Sequence, residues 1–100
     1  MTSKNYDEFL VSQLRDPELA AEYLTAAVED GSSEQLMIAL RNVAEAHGGV
    51  AVLAEIAHLN RQSMYKMLSP SGNPTLATLL SLLDPLGIRL AFTPAERQGV

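Results

Sequence analysis

Apolar residues recur along this chain at three- and four-residue intervals, broken by short polar or glycine-bearing stretches, and this pattern predicts a succession of helices. Tyr6, Phe9, Leu10 and Leu14 share one stripe and predict a first short helix from about Tyr6 to Leu14. Asp16-Pro17-Glu18 restarts the chain, since Asp16 suits an N-cap, Pro17 the first helical position and Glu18 the positive end of the helix dipole. The second helix is expected to run to about Asp30, with Leu19, Ala20, Tyr23, Leu24, Ala27 and Val28 as a broad apolar face and Gly31 as its end. Ser32 and Gln35 have capping-box spacing at the head of a third helix. In that helix Leu36, Leu40, Val43 and Ala44 are expected to face the core, and Gly48-Gly49 closes it after His47.

Two shorter segments follow. From Val50 to Ala57, Leu53, Ile56 and Ala57 recur at i, i+3 and i+4, and Ala54 is small enough for another helix to cross closely. The segment stops at His58-Leu59, and Asn60 offers its side-chain oxygen to the free amides of a second helix, Arg61 to Leu68. Two short helices joined by about four residues form the helix-turn-helix plan, in which the second helix lies in a DNA major groove. With Met64, Met67 and Leu68 turned inward, Arg61, Gln62, Ser63, Tyr65 and Lys66 stand outward or at the exposed N-terminal end. Arg pairs bidentately with guanine and Gln with adenine, Ser serves bases or phosphate, and Tyr and Lys reach phosphates. The spacing alone fits a solvated polar face on an ordinary helical hairpin equally well.

Ser69 to Asn73 is a loop by composition, and Thr75 or Asn73 caps a sixth helix. Leu76, Leu79, Leu80 and Leu83 are its expected core stripe, Pro85 ends or kinks it, and Gly87 lets the chain leave. Ile88-Arg89-Leu90-Ala91-Phe92 then switches to period two, a strand signal with Ile88, Leu90 and Phe92 on one side. A lone strand needs a partner, and no other strand is evident, so the expectation is pairing with the same strand of a second copy. The result would be a two-fold homodimer with two reading helices aimed at an inverted repeat. The tail after Thr93 is expected to be loose.

The stretch from Leu53 to Leu90 resembles the phage-repressor-like (Xre/Cro) helix-turn-helix domain, through Leu53-Ala54, the Asn60-Arg61-Gln62-Ser63 opening and the Gly72-Asn73-Pro74 before a leucine-rich helix. Asp16 to Asp30, Ala39-Leu40, the run from Met64 to Ser69 and the ending Leu86 to Leu90 narrow the likeness. Together they resemble the addiction-module antidote proteins, HigA-like antitoxins encoded downstream of a RelE/HigB-type toxin, over roughly residues 6 to 93. The resemblance implies a DNA-binding antitoxin that represses its own operon and neutralises a cognate basic toxin. One departure is Val50, which stands where a polar phosphate-binding residue such as Gln is often found. Gly48 and Gly49 precede the helix that starts at Val50, and the bare amides of that helix start could hold a DNA phosphate, or the glycines could serve only the turn.

Composition bounds these expectations. One hundred residues, 47% hydrophobic and 19% charged, make one folded domain, not a disordered chain. Its expected parts are N-terminal helices over 6–30, a helix-turn-helix core over 33–87 and a dimerising strand over 88–92. The fold class is all-α, a phage-repressor-like bundle with two extra N-terminal helices and the short C-terminal β-strand. The absence of cysteine excludes disulfides and thiolate metal sites. The first residues lack the apolar core of a signal peptide, and no run approaches the roughly 18 apolar residues of a membrane span, so the expected location is the cytoplasm.

A net charge of −5 opposes simple DNA binding, but its distribution is uneven. Residues 1–34 hold eight acids against Lys4 and Arg15, whereas residues 58–73 hold Arg61 and Lys66 and no acid. That asymmetry suggests two partners, a basic protein for the acidic side and double-stranded operator DNA for the other. His47 and His58 have no metal-ligand or nucleophile spacing, and His58 falls at the turn, so neither an enzyme nor a cofactor is expected. A free-standing phage-type repressor without a toxin, and a helical interaction module without DNA affinity, remain as alternatives. The expected contacts are Asn60, Arg61, Gln62, Ser63, Tyr65 and Lys66 for DNA and Ile88, Leu90 and Phe92 for dimerisation.

Overall fold

The computed structural model describes residues 2–95, with side chains from Glu8 onward, and within them the chain forms six helices and no strand. They are α1 (Thr2–Gln13), α2 (Pro17–Glu29), α3 (Ser33–Ala46), α4 (Val50–Ile56), α5 (Arg61–Met67) and α6 (Leu76–Leu83). α3 is the hub, packing on α1, α2 and α4, while α4 packs on α5. α4 leaves α3 at an angle of 81°. Among the described residues no single helix is long and apolar enough to cross a membrane. α1 starts at Thr2, ahead of the expected Tyr6, whose side chain lies outside the described residues, as does the tail from residue 96.

Local chemistry sets the helix starts. The Asp16 carboxylate accepts the Glu18 amide at 2.9 Å with Pro17 at the first helical position, and the Ser32 hydroxyl accepts the Gln35 amide at 3.3 Å. At α6 the choice between Asn73 and Thr75 falls to Thr75, whose hydroxyl accepts the Thr78 amide at 3.1 Å. The ends of α3, α4 and α6 share one device, in which the chain passes through a left-handed residue and the next amide donates back five residues. Gly49 donates to the Ala44 carbonyl at 2.9 Å, Leu59 to Ala54 at 2.8 Å and Ile88 to Leu83 at 3.1 Å. The left-handed positions are Gly48, His58 and Gly87, with φ of 102°, 59° and 75°.

One apolar cluster runs through the molecule, from Leu14, Leu24 and Met37 through Leu40, Val43, Val50 and Leu53 to Met64, Leu68, Leu82, Leu83 and Leu86. Several expected inward residues instead face out. Phe9, Leu19 and Val28 are exposed, and Ile56, at the last position of α4, is 54% exposed because the chain turns away there. In α3 the run from Leu36 to Leu40 leaves the helical phase ambiguous, and Met37 with Ala39 and Leu40 takes the core while Leu36 is half-buried. In α6 two leucine stripes compete. Leu82, Leu83 and Leu86 are buried and Leu79 half-buried, while Leu76 and Leu80 of the expected stripe stand exposed.

The expected C-terminal strand is absent. Gly87 turns the chain and the Ile88 amide is spent on the Leu83 carbonyl, so Ile88 completes a helix cap and is withdrawn from any ladder. Ile88 packs half-buried on the core, whereas Leu90 is exposed and Phe92 94% exposed. The period-two pattern therefore reflects one anchored residue followed by irregular chain, and Ile88, Leu90 and Phe92 form no strand.

Candidate nucleic-acid interface

α4 and α5 have seven residues each, too short to persist alone, so their order comes from anchors and caps. Val50, Leu53 and Ala54 bury one side of α4, and Met64, with no exposed surface, and Leu68 bury one side of α5. Between the helices, the His58 amide donates to the Glu55 carbonyl at 3.2 Å while Leu59 closes on Ala54. Asn60 then fixes the first turn of α5 twice. Its side-chain oxygen accepts the Ser63 amide at 2.9 Å and its carbonyl accepts the Met64 amide at 2.9 Å.

That anchoring turns the polar residues of α5 outward. Asn60, Arg61, Gln62, Ser63, Tyr65 and Lys66 are all exposed, Tyr65 to 41%. Arg61 with Tyr65, and Gln62 with Tyr65 and Lys66, are three or four apart and so share a helix face. At the far end the Ser69 hydroxyl donates to the Lys66 carbonyl at 2.8 Å, and the Gly72 amide donates to the Ser69 carbonyl at 2.8 Å. Gly72 lies so close to α5 that a Cβ there would run into the Met67 carbonyl.

The structure adds a residue that the sequence did not single out. Arg41 of α3 places its guanidinium 5.6 Å from the centroid of the Tyr65 ring, bringing a third exposed cation beside Arg61 and Lys66. It is the only Lys or Arg between Asp16 and Asn60, a signal that gains meaning only once α3 and α5 are packed together. An acid sits nearby as well. A cleft of about 410 Å³ between α4 and the start of α5 is lined by Val52, Glu55, Leu59 and Arg61, so a carboxylate borders the exposed polar start of α5.

The glycine pair before α4 serves the turn. Both glycines have positive φ, and their amides donate back into α3, Gly48 to the Glu45 carbonyl at 3.4 Å and Gly49 to the Ala44 carbonyl at 2.9 Å. His47 is also held by the scaffold. Its ring Nδ1 lies 3.0 Å from the Val43 carbonyl, which can only accept, so Nδ1 carries the proton. His58 is exposed at the turn. Among the described residues no three His, Asp or Glu side chains converge to hold a metal.

The family model described as "Probable addiction module antidote protein" matches residues 3–94. An uncharacterized protein of Haemophilus influenzae is 29% identical over 89 residues, covering 89% of this chain and 91% of that protein. No solved structure matches the chain. With nearly its whole length matched, the chain belongs to the addiction-module antidote family: it is an antidote protein of a toxin–antitoxin module, and not an enzyme.

Proposed function

We propose that α5 reads operator DNA upstream of the protein's own operon, so that the antitoxin represses its own synthesis and, in the cytoplasm, neutralises a basic toxin of RelE/HigB type. The observation that carries this is the exposed row Arg61, Gln62, Ser63, Tyr65 and Lys66 on a helix pinned by Asn60 and anchored by Met64. Arg61 and Gln62 stand at the N-terminal end, where recognition helices meet base edges, and contact bases there. Lys66, Tyr65 and Ser63 hold the backbone, and Arg41 beside Tyr65 extends that clamp onto α3.

One seven-residue helix reaches few base pairs, so specificity calls for two copies on an inverted repeat, with half-sites about 34 Å apart. The test is fluorescence anisotropy with the upstream DNA and a scrambled duplex at several salt concentrations. Tight, salt-sensitive preference for the upstream DNA is expected, and equal or absent binding to both would overturn self-repression by the free protein. The net charge of −5 favours a second reading, an antitoxin whose helix-turn-helix has lost DNA affinity. Arg61→Ala separates the two, costing on the order of 1–3 kcal/mol of operator binding in the first case and nothing in the second.

A further inference from the structure

Within α4, α5 and the turn between them, residues 50–67, the acidic and basic side chains are one acid, Glu55, and two bases, Arg61 and Lys66, with His58 at the turn. Glu55 is exposed, and it shares the cleft of about 410 Å³ with Arg61 across an apolar lining of Val52, Ala54 and Leu59. The backbone between the two has little slack. The Glu55 carbonyl accepts the His58 amide at 3.2 Å, the Ala54 carbonyl accepts the Leu59 amide at 2.8 Å, and the Asn60 side chain accepts the Ser63 amide at 2.9 Å. A hydrogen-bonded turn therefore delivers a carboxylate and a guanidinium to one cleft at the exposed start of α5.

A carboxylate beside a DNA-reading helix repels phosphate, so its position opposes affinity. That opposition does not fall equally on all sequences. The guanidinium carries five N–H donors in a rigid fork, and pairing with guanine O6 and N7 uses two of them, which leaves an edge for a carboxylate. An Arg without such a partner is free to turn onto the nearest phosphate, a contact that every sequence offers.

We propose, on the footing that α5 reads DNA as proposed above, that Glu55 is a specificity-determining residue that acts by positioning Arg61. Across the cleft the Glu55 carboxylate holds the guanidinium toward a guanine in the operator half-site and keeps phosphate out of the same space. Guanine is the base selected because it alone presents two acceptors side by side in the major groove. A group that penalises wrong contacts more than right ones raises discrimination while lowering affinity.

The test compares the unaltered protein, Glu55→Ala, Arg61→Ala and the double variant by fluorescence anisotropy, on the upstream DNA and on a scrambled duplex, at several salt concentrations. Alanine suits an exposed helical position, and circular dichroism should be unchanged in Glu55→Ala. That variant should bind the scrambled duplex more tightly and with a salt slope steeper by about 1, as Arg61 turns to phosphate. Its preference for the upstream DNA should fall about fivefold or more, the size of one base contact. In the Arg61→Ala background the same substitution should change the preference by less than about twofold, since the residue it positions is gone.

An unaltered preference in Glu55→Ala, beside a clear preference in the unaltered protein, would overturn the role of Glu55 and leave DNA reading intact. An equal loss of preference with and without Arg61 would give Glu55 a base contact of its own and overturn positioning through Arg61. Failure of the unaltered protein to prefer the upstream DNA would instead overturn the DNA reading, and the role of Glu55 with it.

Discussion

His58 holds a left-handed φ of 59° at a position where helices more often place glycine. The strain of a side chain there is of order 1 kcal/mol, partly offset by the greater unfolded-state freedom of glycine. His58→Gly is therefore expected to leave stability unchanged or raise it by up to about 1 kcal/mol in urea unfolding. Gly72 is the opposite case, because a Cβ would meet the Met67 carbonyl, rigid backbone and not a pliant side chain. Gly72→Ala should cost about 1–3 kcal/mol, seen as a lower denaturation midpoint. Asp16, Ser32 and Asn60 were legible as caps because a cap depends on three or four consecutive residues, which a sequence displays directly. Arg41 was not, since its meeting with Tyr65 depends on how α3 lies against α5.

Among the elements, α5 depends most on its ends. Asn60→Ala removes the acceptor of the Ser63 amide and should cost about 1 kcal/mol of stability. If α5 reads DNA, operator affinity should fall with it, because the first turn that presents Arg61 and Gln62 would fray; anisotropy and thermal melts on one variant check both. Helix existence was readable throughout, while helical phase was not wherever apolar residues crowd. Leu76, Leu79, Leu80 and Leu83 make as good a stripe as Leu79, Leu82, Leu83 and Leu86, and what separates them is packing against the core. The strand expected at Ile88–Phe92 failed for a related reason. Its alternation was real, but the amide of its first residue already belonged to the helix before it.

Across the whole molecule, charge is segregated more than it is scarce. Six acids and no bases occupy residues 16–40, and Arg41 lies over the ring of Tyr65 on α5, the helix that also carries Arg61 and Lys66. For DNA held against a net charge of −5, each of those cations carries unusual weight. Lys66→Ala should weaken binding to all sequences alike and lower the salt slope by about 1, in contrast to the sequence-selective loss expected of Arg61→Ala. Operator titrations at several salt concentrations distinguish these two behaviours.

The stacking of Arg41 on Tyr65 also gives the protein an optical property. The chain has no tryptophan and three tyrosines, so its intrinsic emission is tyrosine emission alone. Tyr23 accepts a 2.8 Å hydrogen bond from the Asn42 side chain in a half-buried setting, whereas Tyr65 lies exposed beneath a guanidinium on α5. A ligand that slides between that ring and the solvent changes the light it emits, and Tyr65→Phe silences that response, so α5 carries an unlabelled reporter of its own occupancy.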